Sequence, residues 1–177
     1  EMKASGMPPV WNSYIAVDDL NSSVEQAVAL GANVVMPPMQ VMDAGHMAII
    51  SDPTGAFISL WQKINHGGAQ LVNVPNTWAW NELVSDNPEA AQSFYGELFG
   101  WTFQKEDASP NDYWLHQIND RNNGGMMRKP TEMAQVPNHW SVYFHVADLT
   151  ATLDKLQSLG GQVTAPPFEV SVGKIAV

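Results

Sequence analysis

The chain has 177 residues, 45% of them apolar, no cysteine, and 18 acidic against 8 basic residues for a formal charge of −10. That apolar content suffices for a packed core and excludes a disordered chain, while the negative field repels phosphate backbones and anionic lipid and so argues against nucleic acid and membrane as partners. Without cysteine there is no disulfide framework, thiolate metal site or cysteine nucleophile, which fits a cytoplasmic location, and no apolar run approaches the roughly 20 residues of a membrane span.

Residues 12–17 alternate or run apolar through Tyr14, Ile15 and Val17, as a half-buried strand does. Asp19 then stands where an N-cap accepts orphan backbone N–H groups, and Leu20, Val24, Ala27 and Val28 form one stripe of a helix closed by Gly31. Val34 and Val35 start the next strand. Pro37 and Pro38 bar a central strand there and predict an edge or a bend, with Met36, Met39, Met42 and Met47 as adaptable gap-fillers beside it. Gly45 to Ile50, the turn Asp52, Pro53, Thr54 and Gly55, and Phe57 to Gln62 read as a hairpin. The whole segment is thus β-α-β-β-β.

A linker around 65–69 leads to a diverged version of the same order. Trp78 to Val84 is strand-like, and Asp86, Asn87, Pro88 and Glu89 open a helix whose apolar face is Ala90, Ala91, Phe94, Tyr95, Leu98 and Phe99, with Gly100 at its end. Trp101 to Phe103, Tyr113 to Ile118 and the stretch to Met127 follow as strands; the Gly124 and Gly125 pair reads as a turn, since no following helix or Lys supports a phosphate nest. After a second linker at 129–132, the segment 140–171 repeats 11–42 at an offset of 140 − 11 = 129 residues: Trp140, Tyr143, Val146, Asp148 and Leu149 answer Trp11, Tyr14, Val17, Asp19 and Leu20. Leu149, Leu153 and Leu156 then carry a helix closed by Gly160, and Val163 and Thr164 start a strand. A repeat of this length implies duplication of a supersecondary block, and the chain divides into units at 8–62, 75–129 and 136–177.

The run Phe94, Tyr95, Gly96, Glu97, Leu98, Phe99, Gly100, Trp101 after a capped helix start, Leu-Gly closing the other helices, and Asp52, Pro53, Thr54, Gly55, Ala56, Phe57 together resemble the vicinal oxygen chelate superfamily. That group includes glyoxalase I, bleomycin-resistance proteins and extradiol dioxygenases. More narrowly, the order of these motifs looks like that of bacterial two-domain glyoxalase-like proteins, in which paired β-α-β-β-β units form each domain. The resemblance implies an α+β fold of curled mixed sheets forming a cup, with helices on the outside. It makes residues 1–64 the second half of one domain, 65–74 a linker, and 75–177 a second domain lacking its last strand, since Val177 falls where Ile49 stood in the earlier copy. Unpaired sheet edges of that kind invite a homo-oligomer or a domain swap.

The superfamily holds a divalent metal in its cup on His, Gln or Glu from the first and last strand of each unit. Alignment on the helix-starting Asp or Asn puts Asn12, Trp80 and Ser141 at the first-strand ligand positions, and Ser59 and Gly125 or Met126 at the last-strand ones. None is a good ligand. The expectation is therefore a small organic molecule bound in the cup with no metal cofactor, the alternative being a divalent metal serving a lyase, isomerase or dioxygenase. Strand alternation places Asn12 and Tyr14 on one face, Ser141, Tyr143 and His145 on the matching face of the later copy, and Trp80 and Glu82 on the cup side of the middle unit. These seven are the expected ligand contacts, with Glu82 and His145 the candidate acid–base pair. His46 and His116 read as exposed strand residues, and Trp11, Trp61, Trp78, Trp101 and Trp140 as core or packing between units.

Overall fold

A computed structural model describes residues 10–107, 109, 112–170 and 172–177; the start of the expected first domain, 1–9, lies outside the described residues. The first strand, β1 (Tyr14–Ala16), leads into α1 (Leu20–Ala29). The Asp19 side chain accepts from the Ser22 N–H at 3.0 Å, and Leu20, Val24 and Ala27 are the buried stripe. β2 (Asn33–Val41), β3 (Gly45–Ser51) and β4 (Phe57–Lys63) complete a sheet of order β1-β4-β3-β2, with β1 parallel to β4 and the rest antiparallel. Pro37 and Pro38 do sit on the edge strand, and the β2–β3 register shifts between Val34 and Met36 and again between Met36 and Met39. Proline has no N–H to give the ladder, so the pairing breaks beside the pair.

The second sheet is built likewise from β5 (Thr77–Ser85), α2 (Pro88–Phe99), β6 (Thr102–Lys105), β7 (Tyr113–Ile118) and β8 (Arg121–Arg128). Asn87 caps α2 by accepting from the Ala90 N–H at 3.2 Å, and Gly100 closes it in the left-handed conformation at φ 69°. β5 runs parallel to β8, the others are antiparallel, and β9 (His139–His145) adds to the far side of β5 for the order β6-β7-β8-β5-β9. Then come α3 (Leu149–Ser158), capped by Asp148, and a short antiparallel pair, β10 (Phe168–Val170) and β11 (Gly173–Ile175). Val163 and Thr164 are not strand, contrary to expectation. The Thr164 and Ala165 N–H groups both donate to the Val177 carbonyl, at 2.6 and 2.8 Å, so no ladder is needed to satisfy them.

The chain forms two compact units, one of residues up to Gln70 with Trp80–Val142, the other of Leu71–Ala79 with Tyr143–Val177. The first has one continuous core: Leu20, Val24 and Ala27 from α1, Ala48, Ile50, Ile58 and Leu60 from the first sheet, Ala91, Phe94 and Tyr95 from α2, and Leu83 and Met126 from the second sheet. Each large aliphatic side chain among them contributes about 1.5–3 kcal/mol by leaving water. In the second unit α3 buries none of its residues. The tryptophans divide: Trp101 is 7% exposed and Trp140 packs on the core, whereas Trp11 is 73% exposed and is no core residue. Trp11 lies ahead of β1, outside the sheet's strands.

Candidate functional site

Alternation decides what each strand offers. On β1, Ile15 packs on the core and Tyr14 turns the other way, toward Trp61 at 5.9 Å in an edge contact. On β5, Leu83 is fully buried in the core opposite Met126, so Trp80 and Glu82 take the outward face, with Glu82 opposite Gly125. Ser141 alternates with Trp140, which packs on the core, and therefore shares that outward face. Within this unit the structure thus brings Trp80, Glu82 and Ser141 to one surface. Asn12 and Tyr14 face away from the core on the other sheet and do not join them.

The outward face of the second sheet has a specific construction. The Trp80 indole N–H donates to the Tyr113 hydroxyl at 3.1 Å. A Cβ on Gly125 would lie 1.9 Å from that hydroxyl and 3.0 Å from the Trp80 nitrogen, so only glycine lets the phenol lie across β8. Gly124 serves the opposite face in the same way: its Cβ would fall 2.0 Å from His116 Nε2. The two glycines are therefore not a turn but mid-strand gaps that admit one ring on each side. Glu82 is half-buried beside the Trp80–Tyr113 pair.

Behind this face lies a buried polar chain. Trp140 Nε1–H donates to the Tyr95 hydroxyl at 3.0 Å, and Tyr95 donates to Asp52 Oδ2 at 2.8 Å. Asp52 Oδ1 accepts from the Thr54 N–H and hydroxyl and from the Ala56 N–H. Burial, and then the neighbouring Asp52 charge, push the Tyr95 phenol well above its usual value, so it stays a donor. His116, expected to be exposed, is 1% exposed: it stacks on Trp101 at 4.3 Å and meets Trp140 edge-on at 5.9 Å. Burial lowers its pKa to about 4, so the imidazole is neutral at ordinary pH. Neither ring nitrogen has a hydrogen-bond partner among the described residues. His116 shares its pleat with Trp114, which packs on the core, and that alternation was the available signal for this burial.

The remaining candidates lie in the other compact unit. His145 is exposed, its Nδ1 lies 3.4 Å from the Asn73 carbonyl, and its own carbonyl accepts from the Asn76 N–H at 2.7 Å. Tyr143 is half-buried. His46 is half-buried rather than exposed, because β3 is an interior strand of its sheet.

The ligand positions implied by the superfamily can be tested against this geometry. Ser59 is opposite Tyr14 in the parallel β1–β4 pair, as Gly125 is opposite Glu82 in β5–β8. One last-strand position is a buried hydroxyl and the other is a glycine roofed by a phenol. Trp80, at the first-strand position, offers only an N–H donor, already given to Tyr113. Among the described residues no three His, Cys, Asp or Glu side chains gather closely enough to hold a metal ion. These donors do not fit the usual metal.

A glyoxalase-like domain model matches residues 67–172. Among curated proteins, the chain is 47% identical over 174 residues to "Putative glyoxylase CFP32" of Mycobacterium bovis, covering 97% of this chain and 66% of that one. It is 34% identical over 175 residues to "Anthracycline biosynthesis protein DauV" of Streptomyces sp. strain C5, covering 97% of this chain and 62% of that one. The chain thus spans about two thirds of the length of these relatives. In fold it is similar to the Mn(II)-bound glyoxalase from Novosphingobium aromaticivorans, with a TM-score of 0.61 at 14% identity over 92% of this chain and 56% of that one. No described helix is long and apolar enough to cross a membrane. With the domain model covering more than half the chain, this protein belongs to the glyoxalase-like domain family of the vicinal oxygen chelate superfamily.

Proposed function

We propose that the outward face of the second sheet binds a small, flat organic molecule through Trp80, Tyr113 and Glu82, with Ser141 at its border, and that it does so without the usual metal. The observation that carries this reading is the indole-to-phenol hydrogen bond across Gly125, which holds two ring faces beside a half-buried carboxylate. Aromatic walls with one placed polar group suit a flat ligand with a single donor. Asn12 and Tyr14, and separately Tyr143 and His145, are further candidate contacts, each read out by its own alanine variant. The test is calorimetric titration and thermal shift against aromatic and dicarbonyl compounds, in the wild type and in Glu82→Gln and Trp80→Phe. A saturable rise in melting temperature that both variants reduce supports the proposal, and no shift with any compound refutes it.

A second reading is favoured by the 47% identity to a protein named as a glyoxylase. In it the longer protein is a metal-dependent lyase, isomerase or dioxygenase whose ion is held by donors other than those at the expected positions. Stoichiometric divalent metal in the purified protein, with a melting temperature lowered by chelator, selects this reading over the first.

A further inference from the structure

The first compact unit contains a cavity that Trp80, Glu82, Tyr113 and Ser141 do not line, although Tyr14 does. It has a volume of about 350 Å³ and lies on the core side of the second sheet, lined chiefly by Ser13, Asn81, Phe99, Trp101, His116 and Trp140. We infer that this cavity is a distinct ligand site, taking a neutral, planar aromatic molecule that carries one hydroxyl or carbonyl oxygen.

Three observations lead there. The volume falls in the range of small-molecule sites, and the walls include the ring systems of Phe99, Trp101, His116 and Trp140, which offer flat apolar surface. None of the residues lining it is an acid, a lysine or an arginine, so a charged ligand would lose its hydration without gaining a counter-charge. And the wall carries an uncompensated polar group: His116 is buried with both ring nitrogens unpartnered among the described residues. A neutral imidazole has one donor and one acceptor, and leaving such a group buried and unsatisfied is costly. That cost is recovered when a ligand oxygen reaches the ring, and this fixes the chemistry: apolar, flat and uncharged, with a single hydrogen-bonding oxygen. In its wall, Ser13, just ahead of β1, donates to the side-chain carbonyl of Asn81 on β5 at 3.1 Å.

The probes are 2-naphthol, naphthalene and 2-naphthoate, titrated against the whole chain and followed by tryptophan fluorescence and the NMR signals of the His116 ring. The expected result is saturable quenching by 2-naphthol with movement of the His116 resonances, and weaker binding of both other probes. His116→Phe keeps the stacked ring but removes both nitrogens, and should weaken 2-naphthol about tenfold, to the level of naphthalene, as loss of one hydrogen bond of about 1–1.5 kcal/mol predicts. Should that variant fail to fold, Ile118→Trp at the 37% exposed rim fills the cavity from outside and should abolish quenching. The inference is overturned if no probe saturates, so that water alone serves the imidazole, or if 2-naphthoate binds as tightly as 2-naphthol. It is also overturned if Glu82→Gln removes 2-naphthol binding while His116→Phe retains it, which would place the ligand on the outward face.

Discussion

Replacing Tyr95 with phenylalanine removes one oxygen from the centre of the core and leaves the ring contacts to Phe94, Phe99 and Trp101 in place. The lost oxygen donated to a buried carboxylate at 2.8 Å and accepted from a buried indole at 3.0 Å. A hydrogen bond to a charged group contributes about 1.5–3 kcal/mol net, and the indole left without an acceptor costs about 1–3 kcal/mol more. Asp52 keeps the three bonds to its other oxygen, so the carboxylate is not wholly abandoned. The sum is a destabilisation of about 3 kcal/mol, a large share of the ~5–15 kcal/mol available to a domain. With a urea dependence of about 2 kcal/mol/M, the unfolding midpoint should drop by about 1.5 M at unchanged slope. A cycle with Asp52→Asn should give a coupling of about 1 kcal/mol or more between these contacting residues. A midpoint change below about 0.5 M, or strict additivity with Asp52→Asn, would refute the view that this chain holds the turn of the first sheet to α2.

Other outcomes follow from the same geometry. His116 has a folded pKa of about 4 against an ordinary 6.5, so between these values the unfolded chain binds a proton that the folded chain does not. Its contribution is therefore fully present above pH 6.5 and is lost as pH falls toward 4, by about 3 kcal/mol in all, and His116→Phe should flatten that part of a stability-against-pH curve. Gly125→Ala should displace Tyr113, lower stability by about 1–3 kcal/mol and change the near-ultraviolet dichroism of the Trp80–Tyr113 pair; an unchanged spectrum would show that the phenol does not cross β8. Light scattering tests association: β2 is exposed at eight of its nine residues and forms a sheet edge, so a dimer is expected, and a monomer at high concentration would dispose of the oligomer proposal.

The elements were legible where local chemistry dictates them. Asp19 and Asp148 cap their helices, Gly100 ends α2 at a positive φ, and the proline pair falls on an edge strand where the register breaks. These are signals within a few residues of the feature they cause. The faces of β1 and β5 were legible too, because Ile15 and Leu83 are the larger apolar partners in their alternation. What stayed hidden depends on residues far apart in the chain. His116 looks like an exposed strand residue until Trp101, Trp140 and the missing side chain of Gly124 are brought around it. Tyr113 carries no local signal of a site, because its position over Gly125 requires the β7–β8 register. The same register explains why the site divided: periodicity tells which side of a strand a residue takes, and only the shared core shows that the outward sides of the two sheets are different surfaces. Val163 and Thr164 have β-branched side chains suited to a strand, yet the backbone of Thr164 and Ala165 exchanges its hydrogen bonds with Val177 alone instead of a ladder.

We propose that the family's scaffold is kept here without the usual cation donors, the implied positions being held by Asn12, Trp80, Ser141, Ser59 and Gly125. Metal analysis of the purified chain, with melting temperature measured before and after chelator, addresses it most directly. The account predicts divalent metal well below one equivalent and an unchanged melting temperature; one equivalent of manganese, iron, nickel or zinc whose removal lowers the melting temperature would contradict it.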